Sequence, residues 1–451
     1  MISVENAIEI ILQSVKPSKK MEEVSFVESR ERILSEDVYS GVNLPPFDNS
    51  AMDGYALKSV DTKGASADSP VMLMVIDNLP AGYTTAKKIM RGEAIRIMTG
   101  APIPQGADAV MMKEWTEIDG SEVAPLAEAA PLAEAAPLAE AAPLSMVRVL
   151  KEIEPDENIR RSGEDVRIGQ LVLKKGKVIE PADIGMLAAL GKSRVRVAKK
   201  PTIAVLSTGD ELVGIDEEVT CGKIRNVNSY ALLVQIEKCG AIPKQLGIAR
   251  DNIGDLTAKI QEGLFCDMLI ISGGVSVGDY DLVRNVLDGL GVEQKVYKVA
   301  IKPGKPLTFG LWKGMLSEEK PIFGLPGNVV ASMVCFEEFV RPAILRMLGS
   351  GDLELPVITA ELKADIKKKD NRRHFVRASV TCEEGKYYAL PTKSQSSGGL
   401  MSMVVANALI VVPEGVQKIA AGSQVQVEML KAVKIHAISP GSAMISLAVG
   451  E

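Results

Sequence analysis

From residue 201 onward the chain alternates short apolar runs with helical segments, and this alternation constrains the fold more than any other feature. Residues 202–206 read as a strand ending in Ser207-Thr208-Gly209-Asp210-Glu211. Strands are also expected at 241–249, 267–271, 296–301, 307–312 and 321–325. Helices are expected at 228–239, 253–265 and 280–290, with a long one at about 329–348. Such alternation builds a parallel α/β sheet, and ligands of such sheets lie beyond the C-terminal ends of the strands.

The flanking text is of other kinds. Val4, Ile8, Ile11, Leu12 and Val15 recur at helical spacing, so an amphipathic helix is expected over 1–15, ended by Lys16-Pro17. Residues 41–60 concentrate Gly, Pro, Asn and Asp and read as an ordered loop. Short apolar runs at 71–75, 94–97 and 109–112, parted by Gly- and Pro-rich turns, point to a small β barrel or sandwich. Residues 116–123 and 145–150 read as two arms of a hairpin. Between them, 124–144 repeats PLAEAA with period six. Six is not a helical period, and Pro125, Pro131, Pro137 and Pro143 each interrupt a helix. The repeat is read as a flexible or partly extended insertion without chemistry. Residues 355–449 return to short strands and form a last all-β domain.

Composition narrows the chemistry. Lysine and arginine total 52 against 58 aspartate and glutamate, a net charge of −6, so there is no global basic footprint for nucleic acid. No apolar run approaches the length of a membrane span, and the N-terminus lacks the basic flank of a signal peptide. A cytoplasmic protein is expected. Cys221, Cys239, Cys266, Cys335 and Cys382 form no C-x-x-C pair, which argues against a disulfide framework and a structural zinc. His374 and His436 are the only histidines, too few for a His-rich metal centre. Carboxylates, lysines, backbone amides and a recruited metal ion are left to carry the chemistry.

Several strand ends carry such groups. Ser272-Gly273-Gly274-Val275-Ser276-Val277-Gly278 follows a buried strand and precedes a helix, either as an anion-binding turn of backbone N–H groups or as a tight turn using glycine for positive φ. Asp210-Glu211, Asp251, and Asp279 with Asp281 end strands or loops of the same sheet. They read as helix caps and solvated loops, or as carboxylates joined to a phosphate by Mg²⁺. Lys298 and Lys302, with Pro303-Gly304-Lys305-Pro306, offer point charges for an oxyanion on a stiff turn. Pro326-Gly327-Asn328 forms a further strand-to-helix turn. Gly191-Lys192-Ser193 imitates a P-loop, but Met186 stands where the earlier glycine is needed.

With these residues in view, the chain resembles the MoeA family of molybdopterin molybdenumtransferases, to which the gephyrin E domain is related. The resemblance rests on Pro46-Phe47-Asp48-Asn49-Ser50-Ala51-Met52-Asp53-Gly54-Tyr55-Ala56, on Ile97-Met98-Thr99-Gly100-Ala101-Pro102, and on Arg160-Arg161-Ser162-Gly163-Glu164-Asp165. It continues through residues 207–211, 272–278, 301–306 and 324–328, and covers essentially the whole chain. It implies a multidomain α/β and β protein of four parts. Segments 28–47 and 160–198 would form an elongated linking domain, and 48–159 an inserted β barrel. Residues 1–27 with 199–350 would form a parallel, MogA-like α/β domain, and 351–451 a C-terminal β barrel. It also implies a homodimer with its site in a cleft between subunits.

The implied activity is insertion of molybdate into the dithiolene of adenylated molybdopterin with release of AMP. A molybdopterin adenylyltransferase would supply the substrate, and Mg²⁺ would assist. Carried over position by position, Asp53, Thr99, Asp165, Glu211, Asp251 and Asp281 are expected to be catalytic, with Asp251 and Asp281 as metal ligands. Ser272, Gly273, Gly274, Ser276, Gly278, Lys298, Lys302, Pro303 and Pro326 are expected to bind substrate, and Arg377 and Ser397 to bind the oxyanion. Two other functions fit the same resemblance: a non-catalytic scaffold, or the adenylyltransferase step itself. The family reads Leu-Pro-Gly-Asn-Pro where this chain has Leu325-Pro326-Gly327-Asn328-Val329, a change that removes the φ restriction of proline.

Overall fold

A computed structural model describes residues 1–118, 145–274, 282–314 and 318–435. The repeat at 124–144, Ser276, Gly278, Asp279, Asp281 and His436 lie outside the described residues. The chain divides into two compact units, a smaller one of residues 37–174 and 185–193, and a larger one of 1–36, 175–184 and 194–451.

The smaller unit is built on a six-stranded sheet. Across it run Ala109–Met112, Gly54–Leu57, Glu93–Ile97, Val71–Leu79, Ser145–Val149 and Thr116–Ile118. Alternation sends Tyr55, Leu73, Ala94, Met111 and Val147, from five different strands, into one buried cluster, so the sheet wraps a barrel core. Ala56, Ile95 and Val110, of opposite parity, pack on the other face. The expected hairpin arms pair from Thr116↔Val149 to Ile118↔Val147. Two short antiparallel ladders extend this unit, Asn49–Ser50 with Ile159–Arg160 and Val38–Tyr39 with Leu171–Leu173.

The larger unit holds the α/β sheet, in the order Ile242–Ala249, Thr202–Thr208, Met268–Ser272, Glu319–Leu325, Thr308–Lys313, Val292–Tyr297. The first four strands are parallel; Thr308–Lys313 runs opposite to them and pairs antiparallel on both sides, with Glu319–Leu325 and with Val292–Tyr297. Ile203, Val205 and Ile270 face one side, against Leu232 and Ile236 of helix Val227–Lys238, Ile11 of helix Val4–Ser14, and Phe336 and Phe339. Ala204, Leu206 and Ile271 face the other, against Leu256 and Ile260 of helix Ile253–Gly263 and Val283 of helix Leu282–Gly289. The N-terminal helix begins at Val4 because the Ser3 hydroxyl caps it, accepting from the Asn6 amide at 3.1 Å. The strand expected at 296–301 instead spans Val292–Tyr297. Ile301–Lys302 leaves the sheet and pairs with Arg373 and His374. The long helix expected at 329–348 is helical over 329–347, with one π-helical turn at Phe336–Val340.

Five further strands close a barrel. Arg373–Glu383 pairs with both Lys386–Pro391 and Ala408–Val412, and Val357–Leu362 and Gln424–Met429 complete the ring. Val376, Ala378, Ile410 and Val427 fill it. The opposite parity, Phe375 and Leu409, enters the same core as Phe336 and Phe339, so the barrel's outer face is sealed against the α/β helices.

Candidate functional site

In the smaller unit, two of the distant sequence motifs meet at one carboxylate. Asp53 Oδ1 accepts hydrogen bonds from the Thr99 amide at 2.8 Å and the Thr99 hydroxyl at 2.7 Å. These bonds, amide first, hold the Asp53 carboxyl below the usual carboxylate range, with Lys113 and Arg96 adding to the effect. The backbone leaves no freedom here. A Cβ on Gly54 would overlap the Met111 carbonyl oxygen, so only glycine can follow Asp53. Gly100, at φ +84°, turns Thr99 back, and its amide bonds the Ser50 carbonyl. Asp48 is tied in the same unit to the Ser162 amide at 2.8 Å and to Arg161, which hold its carboxyl low in turn. Asp165 is anchored through its amide to the Leu44 carbonyl.

In the larger unit, the strand ends of the α/β sheet converge. The Asp210 amide donates to the Asp251 carboxylate and the Asp251 amide to the Asp210 carboxylate, each at 3.3 Å, so two acidic strand ends interlock. The Glu211 side chain folds back over Gly209, which stands at φ +142°. Gly273, at φ +93°, has room for no Cβ, because one would lie 2.6 Å from the Thr208 carbonyl oxygen. Gly274, at φ +65°, is packed against the Thr208 hydroxyl. Two successive left-handed residues at a strand end turn the backbone sharply before the helix at Leu282. Asn228, on the first turn of its helix, donates to the Ser272 hydroxyl at 2.8 Å and the Gly327 carbonyl at 2.7 Å, joining the two glycine turns. Sequence reading missed Asn228; its place two residues after the capping Asn226 was the available signal.

The Pro326-Gly327-Asn328 turn meets the barrel. Asn328 donates to the Ser397 hydroxyl at 3.1 Å, and the Val330 amide to the Ser397 carbonyl. Val329 opens the helix in place of a proline and is buried in the core. Arg377 lies in the barrel wall, 2% exposed. Its guanidinium donates to the Ser402 hydroxyl at 3.3 Å and the Ser396 carbonyl at 3.1 Å. Burial pushes it down to about 10. A buried cation held among the described residues by neutral acceptors alone, with its donors only partly used, is suited to an oxyanion.

Lys298 sits at φ +62° with its ammonium 4.5 Å from the Tyr297 ring. Lys302 does not join it; its ammonium faces Asp370 at 3.8 Å. That carboxylate, which also takes Arg372 and His374, is held far below its usual range, first by Arg372. Pro303 and Pro326 are buried. A cavity of about 740 Å³ borders this turn, lined among others by Ile2, Ser3, Lys305, Asp370 and Arg372. Among the described residues no three His, Cys, Asp or Glu side chains cluster as a metal site.

A mixed α/β sheet with acidic and glycine-rich strand ends, joined to a closed barrel carrying a buried arginine, defines a multidomain α/β and β protein. Comparison with known proteins gives its family. Residues 2–191 match the MoeA N-terminal region (domains I and II), 204–346 a probable molybdopterin-binding domain, and 359–430 the MoeA C-terminal region (domain IV). Molybdopterin molybdenumtransferase of Bacillus subtilis (strain 168) is 34% identical over 409 residues, covering 90% of this chain and 89% of that one. The protein of the same name from Staphylococcus aureus (strain MRSA252) is 34% identical over 433 residues, covering 94% and 95%. A molybdopterin biosynthesis MoeA protein from Pyrococcus horikoshii OT3 superposes with a TM-score of 0.79 at 29% identity, over 95% of this chain and 100% of that one. The chain belongs to the MoeA family, and is a transferase of molybdenum cofactor biosynthesis.

Proposed function

We propose that the chain transfers molybdate to the dithiolene of adenylated molybdopterin, with release of AMP. The observation that carries this reading is Arg377, a buried guanidinium without a carboxylate partner among the described residues, beside the Ser396-Ser397 loop that bonds the start of helix 329. Arg377 and Ser397 would take the molybdate, a doubly charged anion best held by charged and hydroxyl donors. Ser272, Gly273, Gly274, Ser276 and Gly278 would bind the pyrophosphate, with the Gly273 amide itself bonded to the Leu325 carbonyl and the Gly274 amide, among the described residues, left to donate. Lys298 and Lys302 would supply charge to the same ligand, and Pro303 and Pro326 would stiffen the turns around it. Asp53, Thr99, Asp165 and Glu211 would be the catalytic residues.

Asp251 and Asp281 would hold Mg²⁺. Hard carboxylate oxygens at a strand end suit that ion, which keeps several waters and uses one or two carboxylates with substrate phosphates. The interlocked Asp210 and Asp251 fit it, since each carboxylate spends one acceptor site on an amide and keeps others. When bound, the ion would neutralise pyrophosphate charge, and the residues themselves would orient the ligand. We further propose a homodimer, cytoplasmic, served by a molybdopterin adenylyltransferase.

The test is reconstitution. The chain, adenylated molybdopterin, molybdate and Mg²⁺ should together activate a cofactor-free molybdoenzyme. Omitting molybdate should abolish activation. Activation by ATP and free molybdopterin, without the adenylated form, would assign the earlier adenylyl-transfer step instead.

A further inference from the structure

The two lysines of the turn after strand Val292–Tyr297 are held in different ways. The Lys302 ammonium faces a carboxylate, that of Asp370. The Lys298 ammonium faces none among the described residues. It lies instead 4.5 Å from the centre of the Tyr297 ring, and the Arg284 guanidinium lies 4.8 Å from the same centre. Arg284 is also within 3.8 Å of Asp288 on its own helix.

That contact between neighbours in sequence needs a backbone cause. Tyr297 closes the strand and is half-buried. In a continued strand, successive side chains point to opposite faces, so Tyr297 and Lys298 would not meet. Lys298 leaves the strand conformation, at φ +62°. This left-handed conformation is disfavoured for a residue with a Cβ and persists where the surroundings impose it. Here both of its backbone polar groups are committed. The Lys298 amide donates to the Leu307 carbonyl at 3.0 Å, and the Lys298 carbonyl accepts from the Ile2 amide at 3.2 Å. The Ala300 amide donates back to the Ile2 carbonyl at 2.7 Å, so Ile2 bridges Val299 in parallel. Ile2 is fixed in turn, because Ser3 caps a helix whose Val4, Ala7 and Ile11 are in the core.

A ring and a carboxylate hold a cation with different consequences. A carboxylate offsets its charge. The face of an aromatic ring attracts the cation and leaves its net charge available to an anion. A lysine stem is flexible, and fixing it before a ligand arrives removes an ordering cost from binding. We infer that Tyr297 and Ile2 are positioning residues for Lys298: the Ile2 bridge sets the backbone turn, and the Tyr297 ring holds the ammonium in place for an anionic ligand. This rests on the reading of Lys298 as a group that supplies charge to the pyrophosphate.

Two measurements on the full-length chain test this, the first without any ligand. Lysines are reductively methylated with isotope-labelled formaldehyde, which preserves their charge, and the Lys298 methyl signal is assigned by its absence in Lys298→Arg. Methyl groups over an aromatic face are shifted upfield in magnetic resonance spectra. The shift should be present in the unsubstituted chain and in Tyr297→Phe, vanish in Tyr297→Leu, and shrink in Ile2→Pro, which removes the amide donor. The second measurement is calorimetric titration of unlabelled protein with inorganic pyrophosphate at fixed Mg²⁺. Tyr297→Leu should raise the dissociation constant by about two- to tenfold, the usual cost of ordering one long side chain, while Tyr297→Phe keeps the unsubstituted value. No upfield shift in the unsubstituted chain, a shift kept in Tyr297→Leu or undiminished in Ile2→Pro, or equal weakening of binding in Tyr297→Leu and Tyr297→Phe would each overturn the inference. The reading beneath it fails separately: pyrophosphate binding by Lys298→Ala as tight as in the unsubstituted chain would show that Lys298 does not serve that ligand, whatever its methyl signal.

Discussion

Replacing Arg377 by methionine should stabilise the ligand-free protein and at the same time abolish its response to molybdate. Burial pushes the guanidinium down to about 10. At about 1.4 kcal/mol per pKa unit, holding the charge there costs roughly 3 kcal/mol. Against this stand the bonds to Ser402 and Ser396, worth about 1 kcal/mol each. Ser402 keeps its own bond to the Gly399 carbonyl at 2.7 Å, so truncation leaves little unsatisfied. Methionine fills a similar unbranched volume. The net expectation is a gain of roughly 1 kcal/mol, read as a higher urea midpoint for the barrel transition. Molybdate at a hundred times its dissociation constant should add about 2.7 kcal/mol to the unsubstituted chain and nothing to the variant. A ligand-free variant weakened by 2 kcal/mol or more, on the order of a lost core side chain, would show that Arg377 holds the barrel together. A preserved molybdate response would refute its role in oxyanion binding.

Three other perturbations have definite signs. The Glu338 carboxyl is raised in the folded state, so its contribution to stability is complete below the unfolded value near 4.5 and is lost as pH rises through the folded one. Glu338→Gln should match the unsubstituted chain in denaturant at acidic pH and exceed it by about 1–3 kcal/mol at pH near 8; equal stability at both would contradict this. Gly54→Ala should unfold the smaller unit or cost about 3 kcal/mol or more, since its Cβ must displace the Met111 carbonyl; near-neutral behaviour in thermal unfolding would deny the constraint. Asp251→Ala and Asp281→Ala should raise the Mg²⁺ needed for half-maximal AMP release by about tenfold or more, the loss of one strong ligand interaction; an unchanged Mg²⁺ dependence in both would remove the metal assignment.

Much of this fold is legible in sequence because strand parity is written in side-chain size. Ile203 and Val205 against Ala204 and Leu206 already divide the two faces of the α/β sheet. Strand direction is not written there. Nothing in Val292–Tyr297 or Thr308–Lys313 distinguishes a parallel from an antiparallel neighbour, and both proved antiparallel. The candidate site was legible as residue types at strand ends, but not as pairs. Asp53 with Thr99, and Asp210 with Asp251, are more than forty positions apart and meet only through tertiary folding. The facing of Lys302 and Asp370, sixty-eight positions apart, is likewise absent from the sequence. Glu338 left a readable mark: it falls three residues after Cys335 and four after Val334, on the buried stripe of its helix.

The central claim is coupling of molybdate insertion to AMP release, and a single-turnover measurement tests it directly. The chain is mixed with adenylated molybdopterin and Mg²⁺, and AMP is quantified with and without molybdate, alongside the molybdenum retained on the pterin. The account predicts AMP formed only with molybdate, in about one-to-one ratio with inserted molybdenum, the stoichiometry of a single chemical step per site. AMP released at the same rate without molybdate, or molybdenum inserted while the adenylyl group stays intact, would contradict it.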